Sequence, residues 1–487
     1  MNRRMVLYTL GYISIANAAL LTLPMVVSLV YSEFSSLWAF MIAAGISLFL
    51  GLTLKIAARP SSKVIYAKEG FAIVTYAWLV MAAIGALPFV ITGAIPSYVD
   101  AFFETVSGFT TTGASILSGE ALTAMSHGLL FWRSFTHWVG GMGVLVFVMA
   151  IIPNMSDRSI HIMRAEMPGP EVGKLLPKAR DTAKILYLIY IAMTAVEIIM
   201  LLCGGMSAFD SVVYSFGTAG TGGFGIKPDS IGSCTPYQQW VIAAFMLIFG
   251  INFNLYYLLL IGKFKAVFRN TETWLYLGLV GVSVVMIANN IHFMYSSVEE
   301  SLRQSTFQVA SMVSTTGYST ADFNTWPQLS KSILMIFMFT GACAGSTAGG
   351  LKMSRLLLLI KSVFREFKKM LHPRSVKVVK VDGKRVDEQV LGGVTTYFAV
   401  YMLCILGIFV LLSCFETNPI FNTETNFTAS VSCFNNIGPG LGNVGPAESF
   451  GAYSDPSKLL LSLAMLLGRL EIFPLILGIN PFIWRKR

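Results

Sequence analysis

The sequence predicts an all-α polytopic membrane protein with four covalently joined helix, pore-loop, helix repeats around one pore. Three observations lead there: the composition, the length of the apolar runs, and a polar glycine-bearing run that recurs four times. The 487 residues are 55% hydrophobic and 12% charged, whereas a soluble domain carries about 25% charged residues. Crossing a bilayer takes about 20 apolar residues in a helix. Runs of that length fall near 5–30, 36–57, 70–94, 127–152, 183–204, 238–262, 273–292, 331–360, 390–414 and 458–482, which makes about ten spans. The opening MNRRMVLYTLGYISIANAALL has the basic start and apolar run of a leader, but a second apolar run follows at once and no small-residue cleavage site is evident. It reads as a retained helix.

Orientation follows from the basic residues. Arg3 and Arg4 precede the first run; Lys55, Arg59, Lys63 and Lys68 follow the second; Arg158, Arg164, Lys174, Lys178, Arg180 and Lys184 follow the fourth. Lys263, Lys265 and Arg269 follow the sixth, the segment from Lys352 to Arg385 is densely basic, and Arg485, Lys486 and Arg487 come last. The opposite loops carry Lys227, Arg303, Lys331 and Lys458. Both termini are expected in the cytoplasm. This bias accounts for the net charge of +10, so no nucleic-acid partner is inferred from it.

After the first two spans, each later pair encloses one polar run: TTTGAS at 110–115, GTAGTGGFG at 217–225, STTGYST at 314–320 and NNIGPGLGNVGP at 435–446. Each follows a short apolar segment, at 100–109, 209–216, 305–313 and 427–434, long enough for a half-helix and too short to span. Four such units around an axis bring four loops together. A cation entering there must lose its water, and rings of backbone carbonyls can replace that shell. Glycine allows successive carbonyls to turn inward through dihedrals closed to other residues, and half-helix C-termini carry partial negative charge toward the cation. Any one run alone reads as close helix packing. Packing gives no reason for recurrence at the same topological place.

Two further features stand out. GACAGSTAGG at 341–350 interrupts an apolar run and is too glycine-rich for a regular helix; such a break is tolerated where protein or a water-filled cavity surrounds it, although a kink is the plainer alternative. Arg469 lies mid-span, where a charge costs at least about 2.5 kcal/mol. Glu471 is two residues away and off its helix face, so any carboxylate partner is expected on another helix. Arg133, near the start of its span, reads as a snorkelling side chain.

SGFTTTGAS, FWRSFTHWVGGMG (131–143), GINFNLYYLLL (250–260), GACAGSTAGGLKMSR (341–355) and NNIGPGLGNVGP resemble the TrkH-type subunits of bacterial potassium uptake systems, in the Trk/Ktr superfamily, over essentially the whole chain. The resemblance implies a homodimer in the inner membrane of a prokaryote and one filter glycine per repeat: Gly113, Gly223, Gly317 and Gly438. Gly222 competes with Gly223, which is preferred because Phe224 follows it. The filter would comprise Thr111, Thr112 and Gly113; Gly222, Gly223 and Phe224; Thr315, Thr316, Gly317 and Tyr318; and Asn436, Ile437, Gly438 and Pro439, holding potassium by backbone carbonyls. Related sodium-permeable transporters can carry serine at the first glycine, so Gly113 favours potassium. The resemblance also makes the run at 341–350 a gate, with Gly341, Gly345, Ser346, Thr347, Gly349, Gly350 and Lys352, and sets Arg469 beneath the filter as an electrostatic barrier.

The expected division is a helix pair at 1–66, pore repeat 1 at 67–155, a linker at 156–182, pore repeat 2 at 183–262, pore repeat 3 at 263–371, a basic linker at 372–388 and pore repeat 4 at 389–487. Within FREFKKMLHPRSVKVVKVDGKRVDEQ (364–389), VKVVKVDGKRV alternates about a DG turn and reads as a hairpin. Anionic lipid is one partner for it; the resemblance implies another, a cytosolic TrkA ring that would carry the nucleotide (ATP/ADP or NAD). No cofactor is expected in this chain: the histidines lack metal-ligand spacing, and no P-loop or dinucleotide fingerprint occurs. An outer bridge between Cys234 and Cys433 is conceivable. An ion-coupled carrier is the competing class, and it calls for inverted repeats and a titratable group near the midplane; the only clear candidate carboxylate is Glu471. An enzyme or receptor finds no catalytic constellation in the sequence.

Overall fold

Proline, glycine and helix-capping residues set where each helix starts and bends in the computed structural model, which describes residues 2–60, 66–143, 179–374 and 377–479. The first span, Arg3–Leu20, continues as Thr22–Val30 after a break at Leu21. Pro24 accounts for the break, because its ring crowds the carbonyl four residues earlier. The antiparallel partner is Phe34–Ala57. A Cβ at Gly11 would meet Gly51 O at 2.9 Å, and one at Gly51 would meet Gly11 O at 2.8 Å, the small-residue packing by which membrane helices approach closely.

Four units of one kind follow. Their outer spans are Lys68–Ile91, Ala179–Cys203, Thr271–Ile291 and Glu388–Phe415. Their pore helices are Tyr98–Phe109, Ala208–Gly220, Val298–Val313 and Thr423–Asn435. The inner helices begin at His127, Pro236, Gln328 and Asp455. Every pore helix starts the same way: the side chains of Ser97, Ser207, Ser297 and Asn422 accept from the amides of Asp100, Asp210, Glu300 and Thr425, satisfying donors that the helix leaves open. With 12, 13, 16 and 13 residues, these helices stop well short of roughly 30 Å of hydrocarbon.

The structure corrects several boundaries. The third pore helix starts at Val298 instead of 305, because Ser297 caps it and Glu299 and Glu300 occupy its first turn, a polar start that an apolar-run reading passes over. Gly217–Gly220 belongs to the second pore helix, which runs to Gly220 before the loop begins. The run at 238–262 is two helices, Pro236–Phe249 and Phe253–Leu260, bent by 90°, with Asn252 capping the second. The run at 458–482 breaks between Asp455–Arg469 and Ile472–Ile479, bent by 119°; Pro474 crowds the carbonyl of Leu470, and Glu471 takes a left-handed φ of 60°. The run at 331–360 is interrupted between Gln328–Thr340 and Met353–Leu371. Residues 144–152 of the run at 127–152, the linker at 156–182 apart from residues 179–182, and Arg485, Lys486 and Arg487 lie outside the described residues.

Among the described residues the strands form one hairpin, in which Lys380–Val381 pairs with Lys384–Arg385. Asp382 and Gly383 take φ of 49° and 80°, the type I′ turn that a DG pair favours.

Candidate functional site

The four pore helices end in the same cap. Thr111 N donates to Gly108 O at 3.1 Å and Thr112 N to Ser107 O at 2.9 Å; the matching pairs start at Thr221 and Gly222, at Thr315 and Thr316, and at Asn436 and Ile437. This is the Schellman pattern, which needs a left-handed residue where the helix ends. Here that residue is Thr111 (φ 57°), Thr221 (56°), Thr315 (56°) or Asn436 (57°). A β-branched residue held there costs about 1–3 kcal/mol, and such strain gathers at functional sites.

Two residues on, the backbone is left-handed again, at Gly113, Gly223, Gly317 and Gly438, with φ of 76°, 72°, 85° and 105°. Gly222 is not among the positive-φ glycines, so backbone geometry makes Gly223 the counterpart of the other three. A Cβ at Gly113 would strike Gly222 O, one at Gly223 would strike Thr316 O, one at Gly317 would strike Ile437 O, and one at Gly438 would meet Thr112 O at 2.9 Å. Each glycine therefore faces the carbonyl that precedes the next repeat's glycine, and the series closes from the fourth repeat back to the first. The carbonyls of Thr112, Gly222, Thr316 and Ile437 encircle one axis. The ring opens on a cavity of about 110 Å³ lined by the four glycines together with Pro439, Lys227 and Glu448.

The ring is braced from behind by residues that periodicity did not single out. His137 is fully buried; its Nδ1 lies 2.8 Å from Gly108 O, and its Nε2 accepts from Phe224 N at 3.3 Å. The imidazole thus spans the first two loops as the Nδ1–H tautomer. Arg133 does not snorkel. It is 3% exposed, pairs with Glu104 at 2.7 Å, donates to Gly225 O at 3.1 Å and Ser115 Oγ at 3.2 Å, and lies 4.2 Å over the Phe224 ring. The signal for it was Glu104, a carboxylate in the middle of an apolar half-helix that must find a buried partner. Phe224 and Tyr318, in the second and third of the polar runs, are buried, and Tyr318 OH donates to Tyr214 O at 3.2 Å across the second and third repeats. Asn436 Nδ2 donates to Thr112 Oγ1 at 2.9 Å, joining the fourth loop to the first.

Below the ring lies the interrupted inner helix of the third repeat. Gly341, Gly345 and Gly350 take φ of 62°, 73° and 73°, so residues 341–352 form a loop and not a kink. The loop docks into the 90° bend of the second repeat: Cys343 N donates to Gly250 O at 3.1 Å, and Phe253 N to Gly345 O at 3.0 Å. Ser346 Oγ turns back on Cys343 O at 2.6 Å, and Thr347 Oγ1 reaches Phe249 O at 3.4 Å. Gly349 N donates to Thr315 Oγ1 at 2.7 Å, which links the loop directly to the polar run that follows the third pore helix. From the fourth repeat, Arg469 Nη1 donates to Thr347 O at 2.7 Å, and its Nη2 reaches the carbonyls of Gly140 and Gly141. Lys352 is buried and its ammonium donates to Ala348 O. Gly349, Gly350, Lys352, Arg469 and Glu471 enclose a cavity of about 10 Å³, no larger than one water needs.

Glu471 pairs with Arg355 at 2.6 Å. A carboxylate that the sequence reading passed over, Glu197 of the second outer span, is 0% exposed and faces Thr218 of the second pore helix; it was hidden in the run TAVEIIMLLC. All six cysteines are free thiols, so Cys234 and Cys433 are not bridged.

A family model described as "TrkH: Cation transport protein" matches residues 36–486. The Trk system potassium uptake protein TrkH of Escherichia coli strain K12 is 36% identical over 493 residues, covering 100% of both chains. The Trk system potassium uptake protein TrkG of the same strain is 32% identical over 468 residues, covering 95% of each. The crystal structure of the potassium transporter TrkH from Vibrio parahaemolyticus superposes with a TM-score of 0.89 at 31% identity, covering 100% of both chains.

Proposed function

This chain belongs to the TrkH family of cation transport proteins, integral membrane transporters and not enzymes, and from that premise we propose that it carries potassium into the cell through the axis of its four repeats. The closed ring of carbonyls from Thr112, Gly222, Thr316 and Ile437 behind four left-handed glycines supports this reading most strongly. Such a ring offers a dehydrating cation the oxygens it loses from water. The membrane potential draws the ion inward by about 2.3 kcal/mol per charge per 100 mV. Both termini and the basic segments lie on the cytoplasmic side.

The loop at 341–350 acts as the gate. Positioned under the ring, with Lys352 and Arg469 adding positive charge, it sets a barrier to a cation leaving the ring; glycines let it move at low backbone cost. The protein works as a homodimer, and its basic cytoplasmic face seats a regulatory ring of nucleotide-binding subunits. The nucleotide stays on that partner, and this chain takes only its transported potassium. The repeat divisions at 67–155, 183–262, 263–371 and 389–487 are part of the same proposal.

Flux into liposomes bearing the purified chain tests the reading, with potassium, rubidium, sodium and lithium compared. Potassium and rubidium entry with little sodium or lithium is the expected result; equal entry of all four would remove the filter assignment. One observation keeps an ion-coupled carrier in play, the buried carboxylate of Glu197, which such a carrier would require as a titrating group.

A further inference from the structure

Glu272 is the second residue of the outer span Thr271–Ile291, buried where that span meets the loop at 341–352. Its Oε1 accepts from two amides, Ala344 N at 2.7 Å and Ser354 N at 2.9 Å. Those amides flank the segment that carries Gly345, Thr347, Gly349 and Gly350, so one carboxylate oxygen draws both sides of the loop to one helix start. Thr271, the residue before it, is held by the hairpin. Asp382, at the tip of the cytoplasmic hairpin, accepts from Thr271 N at 2.8 Å and from Thr271 Oγ1 at 2.7 Å. The first amides of a helix have no partner within it, so the Asp382 carboxylate caps the span and ties the hairpin to it.

A second, independent contact joins the hairpin to the loop. Val379 is buried with Leu358 of the helix Met353–Leu371, which leaves the loop, and with Leu391 and Val394 of the fourth outer span. Lys361 Nζ of that same helix donates to Lys380 O at 2.7 Å. The hairpin therefore grips both supports of the loop: the helix that follows it, and the span whose Glu272 pins it.

We propose that Glu272 is the positioning residue that holds the loop across the pore, and that the hairpin around Asp382 is the lever that sets it through Thr271. This rests on the reading of the loop as a gate. A displacement of the hairpin moves Thr271 and the helix Met353–Leu371 together, and the two hydrogen bonds that Glu272 accepts carry that movement to Ala344 and Ser354. The carbonyl of Gln supplies the same acceptor without the charge; Ala supplies none.

Potassium flux of the full-length chain in liposomes separates these outcomes, with Glu272→Ala, Glu272→Gln, Asp382→Ala and Arg469→Ala compared at equal reconstituted amounts. Each lost hydrogen bond shifts an equilibrium by roughly fivefold, so Glu272→Ala raises basal flux at least about tenfold, Glu272→Gln stays within about twofold of the parent, and Asp382→Ala gives a smaller rise. The potassium-to-sodium ratio stays unchanged in all three, which a general loosening of the fold would not produce. Asp382 is exposed, so its variant tests the lever even where Glu272→Ala does not fold. If Arg469→Ala raises flux while Glu272→Ala or Asp382→Ala leaves it at the parental level, the lever is wrong and the gate reading stands. If Arg469→Ala also leaves flux unchanged, the gate reading falls and the lever with it.

Discussion

The filter and the loop beneath it are built from the same small residues, yet they are held in opposite ways. The filter is fourfold: each repeat repeats the helix cap, the left-handed residue and the left-handed glycine, and buried side chains from neighbouring repeats brace the loops from behind. The loop at 341–352 exists once. It is held by separate hydrogen bonds, three to the second repeat, others to Glu272 and Thr315 of the third, and one from Arg469 of the fourth to Thr347 O. A ring in which every member presses on the next resists change, because moving one loop strains all four. A segment held by a few separable bonds can be released one support at a time. On the proposed reading, selection and switching fall to different mechanical designs only one hydrogen bond apart, at Thr315 and Gly349.

Substitutions on the filter side carry the largest effects. Arg133→Ala leaves the Glu104 carboxylate buried without its cation, which costs about 3–5 kcal/mol; thermal unfolding in detergent is expected to fall sharply, and selectivity to fall with it. Replacing both members, Arg133→Met with Glu104→Leu, recovers much of the melting temperature. A single substitution that leaves melting unchanged would show the two loops to be braced elsewhere. On the loop side, Arg469→Ala removes both the charge beneath the ring and the bond to Thr347 O, and it raises flux without altering the potassium-to-sodium ratio. A change in that ratio would blur the division between the two regions.

The link between them gives a smaller effect. Thr315→Val keeps the shape and removes the acceptor for Gly349 N, worth about 1 kcal/mol or roughly fivefold in the balance of closed and open states. Single-channel recording reads it as a higher open fraction at unchanged conductance; altered conductance instead would make Thr315 part of the filter alone. The smallest effect belongs to Glu197→Gln. A pore has no use for a proton there, so flux and its dependence on external pH are expected to match the parent. A pH dependence that disappears in the variant would favour the ion-coupled carrier.

How much of this was legible depended on sequence distance. The half-helices and loops could be read because length, glycine and turn chemistry are local signals, and the DG hairpin for the same reason. The two sharp bends were not, since Asn252 and Pro474 lie inside continuous apolar runs that satisfy a length criterion. The choice between Gly222 and Gly223 came from resemblance to the family, and the backbone adds a distinction no run of letters contains: of the two, only Gly223 takes a left-handed φ. Arg133 was misread because snorkelling is the ordinary fate of a basic residue near a span end, while its partner Glu104 sits on a separate element, 29 residues away. Glu272 and its two amides were equally out of reach, being 72 and 82 residues apart in the chain.

The ring itself is tested most directly by the reversal potential under potassium on one side of a bilayer and sodium on the other, for the parent chain and for Gly113→Ser. A Cβ at Gly113 meets the Gly222 carbonyl, so the serine must displace one of the four oxygens. The account predicts a strongly potassium-selective potential for the parent and a shift toward zero for the variant. A parental potential near zero, or a variant that keeps full selectivity, would contradict it.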